Sequence, residues 1–198
     1  MAMNSKSVIV IAGPTGSGES TISNEIVKRF PDQVKRLVTA TTRAMRAGEV
    51  DGVDYYFFTN ARFLQEKEAG NILESTYIEN RDTHYGTYAP DFLGKIEAGY
   101  TVIMNPDIVG ARYYKDHYAA TTIFILPGSM DELEGRLRTR NPEMGDKDIS
   151  VRLENAEHEV EYEQSFYDYV VTNGNGKLEE AVSRVIEILQ SEGYNLGT

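Results

Sequence analysis

Eight residues near the start of the chain, Gly13-Pro14-Thr15-Gly16-Ser17-Gly18-Glu19-Ser20, have the types and spacing of a loop that cradles phosphate. Such a loop works through its backbone, because glycines let successive N–H groups converge on an anion and the following helix adds its positive end. The stretch fits G-x-x-x-x-G-K-[ST] at every specified position but one: Glu19 stands where the pattern has lysine. The N–H groups of Gly16 to Ser20 would form the anion nest, with Thr15, Ser17 and Thr21 around it. The Ser20 hydroxyl is the candidate ligand for Mg²⁺, or simply a helix cap. A carboxylate at position 19 reverses the expected attraction, since one full charge at about 6 Å in an effective dielectric near 20 is repelled by roughly 3 kcal/mol. Losing one preorganised charge contact commonly costs about 3 kcal/mol of transition-state stabilisation, or about a hundredfold in rate.

The elements around the loop are those it requires. Val8–Ala12 (VIVIA) is a short β-branched run bounded by glycine, the pattern of a strand buried on both faces of a parallel sheet. Ser20–Phe30 places Ile22, Ile26, Val27 and Phe30 on one helical face, and Pro31 closes the helix. Further strands are expected at Arg36–Thr39, Thr101–Met104, Thr122–Leu126 and Tyr169–Thr172, alternating with helices that end in the amphipathic Leu178–Leu189. Short strands at Tyr55–Thr59, Ile72–Ile78 and His84–Tyr88, with a helix at Ala61–Ala69, form a β-rich block between these core elements. The expected fold is α/β, a five-stranded parallel sheet flanked by helices. We expect a single domain over residues 1–198, with a core of about 7–42 and 92–192, an inserted lobe of about 43–91 and a helical lid of about 138–150.

A second cluster gives the acceptor chemistry. Thr41-Thr42-Arg43-Ala44-Met45-Arg46-Ala47-Gly48-Glu49-Val50-Asp51-Gly52-Val53-Asp54-Tyr55 resembles the TTR-x-x-R-x-GE-x-x-G-x-DY segment of guanylate kinases. The resemblance continues through Ile72-Leu73-Glu74, His84-Tyr85-Gly86-Thr87, Asp107-Ile108-Val109-Gly110, Arg136-Leu137-x-x-Arg140, Arg152-Leu153 and Tyr169-Val170-Val171-x-Asn173, covering essentially the whole chain. It implies a P-loop nucleoside-monophosphate kinase fold whose β-rich lobe binds GMP, with ATP as donor and Mg²⁺ as cofactor. Arg43, Arg46 and Tyr55 would grip the GMP phosphate, and Tyr85 would add a contact to it. Guanidinium forks suit that role because they bind phosphate oxygens in pairs. Glu74 would accept from the guanine N1–H and amino group, Thr39 and Thr87 would contact base or phosphate, and Asp107 would complete the pocket. Arg136, Arg140 and Arg152 would act on the transferring phosphoryl group from the lid. Two positions depart from the family pattern: Glu19 replaces its lysine, and Asn105 stands where an acidic residue is usual. Two functions therefore fit, a phosphotransferase converting ATP and GMP to ADP and GDP with donor-side catalysis impaired, or a non-catalytic module binding a GMP-like nucleotide or a phosphopeptide.

Composition narrows the partners. With 31 acidic and 20 basic residues the net charge is -11, a field that repels nucleic acid and anionic membranes and requires a locally basic site for any anionic ligand. Cysteine is absent, which excludes disulfides and thiolate chemistry and matches a cytoplasmic protein. His84, His117 and His158 lack metal-site spacing. The polar start Met1–Lys6 is too short for a signal peptide, no apolar run reaches membrane-span length, and a monomer or homodimer is expected.

Overall fold

Val8–Ala12 (β1) is buried along its whole length, and full burial of each Val or Ile side chain contributes roughly 1.5–3 kcal/mol. In the computed structural model, which describes residues 6–197, this strand is the centre of the molecule. The expectation for the chain start therefore lies, through residue 5, outside the described residues. After β1 come α1 (Glu19–Arg29), β2 (Val34–Arg36), β3 (Thr39–Thr41), β4 (Tyr56–Phe57), α2 (Asn60–Glu68), β5 (Ile72–Ile78), β6 (Thr83–Tyr88) and α3 (Ala89–Glu97). The chain continues through β7 (Thr101–Met104), α4 (Ile108–Tyr118), β8 (Thr121–Pro127), α5 (Met130–Arg140), α6 (Asp146–His158), β9 (Tyr169–Asn173) and α7 (Leu178–Ser191).

The main sheet has the order β2-β7-β1-β8-β9, and every neighbouring pair is parallel. One apolar layer packs α1 and α7 on one face, through Ile22, Ile26, Val182 and Val185. The other places Phe92, Ala111 and Tyr114 of α3 and α4 against Val8, Val10 and Val102. The α/β sheet flanked by helices is thus as expected.

A second sheet, β4-β3-β6-β5, is mixed: β3 and β5 run antiparallel to β6, and β4 runs parallel to β3. The strand expected at Arg36–Thr39 is corrected here. Its residues divide between β2 of the main sheet and β3 of the second, with Leu37 turned into the core between them. An apolar run carries no mark of which sheet each half will join. The second sheet consequently begins at Thr39, ahead of the expected lobe boundary at 43. The pairing of β5 with β6 shifts register between Ile72 and Ser75, an irregularity of the kind that re-aims side chains, and Glu74 lies within it. Helix α6 ends at His158, and the chain then widens to a π-turn at Glu159–Glu163. No described helix is long and apolar enough to cross a membrane.

Candidate active site

Parallel strands bring their C-terminal ends to one edge, and here those of β1, β7 and β8 are adjacent. The Gly13–Ser20 loop leaves β1 at that edge. Its glycines are demanded by space and by backbone: a Cβ on Gly13 would stand 2.4 Å from the Ile125 carbonyl oxygen, and one on Gly18 2.3 Å from Asn173 Nδ2. Gly16 and Gly18 also have φ of 97° and 101°, a region other residues enter only with strain. Gly16 lies over Leu133 and Leu137 of α5, so the loop is seated on that helix. Helix α1 starts at Glu19, leaving the N–H groups of Glu19, Ser20 and Thr21 without intrahelical partners.

Glu19 folds back onto the loop. Its Oε2 accepts from the Ser17 hydroxyl at 3.1 Å and the Gly18 N–H at 3.2 Å, and Oε1 accepts from the Ser20 hydroxyl at 3.5 Å. Donors suited to a phosphate are therefore engaged by a carboxylate of the chain. Thr15 and Thr21 are exposed at the loop's rim. Arg136, on the next turn of α5 from Leu133, also reaches the loop, but its guanidinium is spent on carbonyls. It donates to Gly16 O at 3.4 Å, Ser17 O at 3.3 Å and Asn173 O at 2.8 Å, and to Asn175 Oδ1 at 3.0 Å. Arg140, one turn further, lines the same 720 Å³ hollow beside the loop as Arg136. Arg152 is half-buried on α6 and does not line that hollow.

A separate cavity of 280 Å³ lies between the sheets and gathers Thr39, Tyr55, Glu74, Tyr85, Thr87 and Asp107. Glu74 Oε1 accepts from the Thr87 hydroxyl at 2.8 Å. Burial raises the Glu74 carboxyl above the ordinary glutamate range, against the lowering effect of Thr87, with Asp107 adding to the rise. Asp107 caps α4 through the Gly110 N–H at 2.9 Å and accepts from the Thr76 hydroxyl at 3.0 Å. Arg43 and Arg46 stand outside this lining. Arg43 forks onto Glu49, its two terminal nitrogens at 2.9 and 2.8 Å from the two carboxylate oxygens, and its guanidinium lies 5.2 Å from the Tyr55 ring centroid. The Arg46 side chain is exposed, and its backbone N–H donates to the same Glu49 at 2.7 Å. That arrangement, Arg43 first, lowers the Glu49 carboxyl to about 2.

The site thus pairs a phosphate-type loop with an acid- and hydroxyl-lined cavity at one sheet edge. The guanylate kinase family model matches residues 5–192. The chain belongs to the guanylate kinase family. It is 40% identical over 195 residues to guanylate kinase of Desulfitobacterium hafniense, covering 97% of this chain and 93% of that one. With guanylate kinase of Thermotoga maritima it shares 38% identity over 186 residues, 93% of this chain and 86% of the relative. The crystal structure of guanylate kinase from Anaplasma phagocytophilum matches with a TM-score of 0.70 at 28% identity, over 96% of this chain and 88% of that chain. An enzyme of the nucleoside-monophosphate kinase type is what this membership makes the chain.

Within this guanylate kinase fold, several site-lining residues escaped the sequence reading. Arg36 lines both the 280 Å³ cavity and a 370 Å³ hollow that joins the loop to it. Glu159 and Glu163, on the π-turn, line that hollow with Glu19 and Asp107. Burial, then Glu163 and Glu19, pushes the Glu159 carboxyl up to about 7. The acid-rich stretch Glu157–Glu163 was visible in sequence, but only the π-turn turns two of its members inward. Asn105 ties β7 to the neighbouring strand and to α1, donating to Ile11 O at 2.8 Å and to the Ser23 hydroxyl at 3.0 Å.

Proposed function

We propose that the protein transfers the terminal phosphoryl group of ATP to GMP, giving ADP and GDP, with Mg²⁺ as cofactor and with donor binding weakened by Glu19. The observation that carries this reading is the convergence of Thr39, Tyr55, Glu74, Tyr85, Thr87 and Asp107 on one cavity. Glu74 is the base-reading group. Its carboxylate accepts from guanine N1–H and the amino group, whereas adenine's opposite pattern would leave it unpaired and half-buried. Arg43 grips the acceptor phosphate, whose oxygens match its fork as the Glu49 carboxylate does. Arg46, Tyr55 and Tyr85 complete that grip. On the donor side Arg136 braces the loop, while Arg140 and Arg152 neutralise charge on the transferring group when the Asn141–Gly145 turn carries them inward.

The residues at the loop fit Mg²⁺ held mainly through substrate. Ser20 and Glu19 offer hard oxygen donors, and among the described residues no group of three acidic or histidine side chains could hold a metal by itself. Bound there, the ion supplies positive charge to the phosphate oxygens. The hydrogen bonds onto Glu19 favour a second reading, a module that keeps the acceptor cavity for a GMP-like nucleotide or a phosphopeptide without catalysis. Separate calorimetric titrations with GMP and with ATP plus Mg²⁺, beside a coupled assay for GMP-dependent ADP formation, test both. Slow GMP-dependent ADP formation supports the kinase. GMP binding without ATP binding or ADP formation supports the module, and no binding of GMP sinks the kinase reading.

A further inference from the structure

Two buried side-chain polar atoms lack a hydrogen-bond partner among the described residues, Asn105 Oδ1 and the Tyr114 hydroxyl, and both residues line the acceptor cavity. Buried polar groups are nearly always satisfied, so an orphan at a cavity wall calls for an explanation. Tyr114 is wholly shielded from solvent, its ring packed against those of Phe92, Tyr113 and Tyr118. For that packing phenylalanine would serve as well, and the hydroxyl needs another reason. It lies beside the Thr87 hydroxyl without meeting hydrogen-bond geometry, and close enough to feel the Glu74 charge. Burial holds the phenol far above the ordinary tyrosine range, so it keeps its proton and remains a donor. Thr87 has one hydroxyl hydrogen, already given to Glu74 at 2.8 Å, and presents only lone pairs to its other neighbours. A donor without an acceptor thus adjoins an acceptor with spare capacity.

We infer that Tyr114 is a positioning residue of the acceptor pocket: its O–H closes onto Thr87 Oγ1 when a guanine nucleotide engages Glu74, forming a Tyr114–Thr87–Glu74 chain that holds the carboxylate against the base. The inference rests on the proposed reading of the cavity as the GMP site. Linked hydrogen bonds polarise one another, so the chain strengthens the Thr87 donation that orients Glu74. Tyr114 stays remote from the reacting phosphates, and its effect falls on acceptor binding.

Tyr114→Phe removes the hydroxyl and keeps the ring. GMP Kd by calorimetry and KM are expected to rise about 3- to 10-fold, with kcat within about twofold and Tm equal or higher. Thr87→Val should weaken GMP binding, and adding Tyr114→Phe to it should cost nothing more, whereas Thr87→Ser, which keeps the relay hydroxyl, should lose markedly less than Thr87→Val. Unchanged GMP affinity in Tyr114→Phe, or additive losses in the double variant, would overturn the inference. Should Tyr114→Phe fail to fold, a loss in Thr87→Ser as large as in Thr87→Val overturns it independently. A parent protein that binds no GMP overturns the reading of the cavity itself, a result distinct from either.

Discussion

Each of the two regions proposed to bind phosphate holds a carboxylate of the chain where an anion is expected, yet the two differ in what surrounds it. In the acceptor lobe, Glu49 faces the Arg43 fork and the Arg46 N–H. In the proposed reading, a nucleotide phosphate there would exchange one anion for another around a cation that stays. At the donor loop, Glu19 accepts, among the described residues, only from neutral groups, the Ser17 and Ser20 hydroxyls and the Gly18 N–H. Arg136, which lines the hollow beside the loop with Glu19, is committed to three backbone carbonyls. On the same reading, an incoming triphosphate would have to displace Glu19 and then remain close to its negative charge. In the proposed reading a glutamate organises one phosphate site and obstructs the other, and the placement of arginine makes the difference.

The sharpest way to test that contrast is Glu19→Lys, which puts a cation where the acceptor lobe already has one. Phosphoryl transfer should rise at least about a hundredfold in kcat/KM for ATP, with GMP Kd unchanged. A GMP Kd that moved tenfold with it would show that the two regions are not independent. Arg43→Ala removes the acceptor cation. Loss of its charge-assisted bonds should lower kcat/KM for GMP about 10- to 100-fold while ATP binding holds. Equal losses for both nucleotides would break the comparison.

Stability separates the regions as well, because the donor loop depends on glycine and the acceptor cavity on polar side chains. Gly18→Ala combines a left-handed backbone position with a clash against Asn173, whose Nδ2 donates to Ser17 O at 2.7 Å. About 2–3 kcal/mol of destabilisation is expected, a fall in Tm of roughly 4–10 °C by calorimetry. The smallest effect is Glu74→Gln. A carboxyl whose folded pKa is raised leaves stability intact below its unfolded pKa and erodes it as pH climbs through the folded value. Relative to the parent, Glu74→Gln should therefore gain about 1–4 °C in Tm at pH 8 and nothing at pH 3. GMP recognition should weaken despite that gain. In the parent, GMP affinity should fall on acidification at a higher pH than an ordinary glutamate would give. A Tm difference independent of pH would mean that Glu74 is not paying a burial penalty.

Local pattern settled a good deal of this protein before any fold was known. Val8–Ala12 is apolar throughout and bounded by glycine, and its strand follows because a doubly buried strand needs nothing more. Gly13, Gly16 and Gly18 announced a phosphate-type turn because only glycine fits such backbone angles and close approaches. The spacing of Arg43, Arg46 and Tyr55 marked the segment expected to hold the acceptor phosphate; in the fold Arg43 lies over the Tyr55 ring, while the Arg46 side chain is exposed.

Only the tertiary structure decided where shared atoms go. The division of Arg36 from Thr39 between two sheets, the register shift around Glu74 and the inward turn of Glu159 and Glu163 depend on partners far along the chain. So does Tyr114, which reads as one more aromatic on a helix face until Thr87 and Glu74 arrive from the opposite sheet. Sequence determined that residue 19 carries a negative charge in a phosphate loop. Folding determined that this charge turns onto the loop's own donors, while Arg136, which shares the hollow beside the loop with it, is bound to carbonyls.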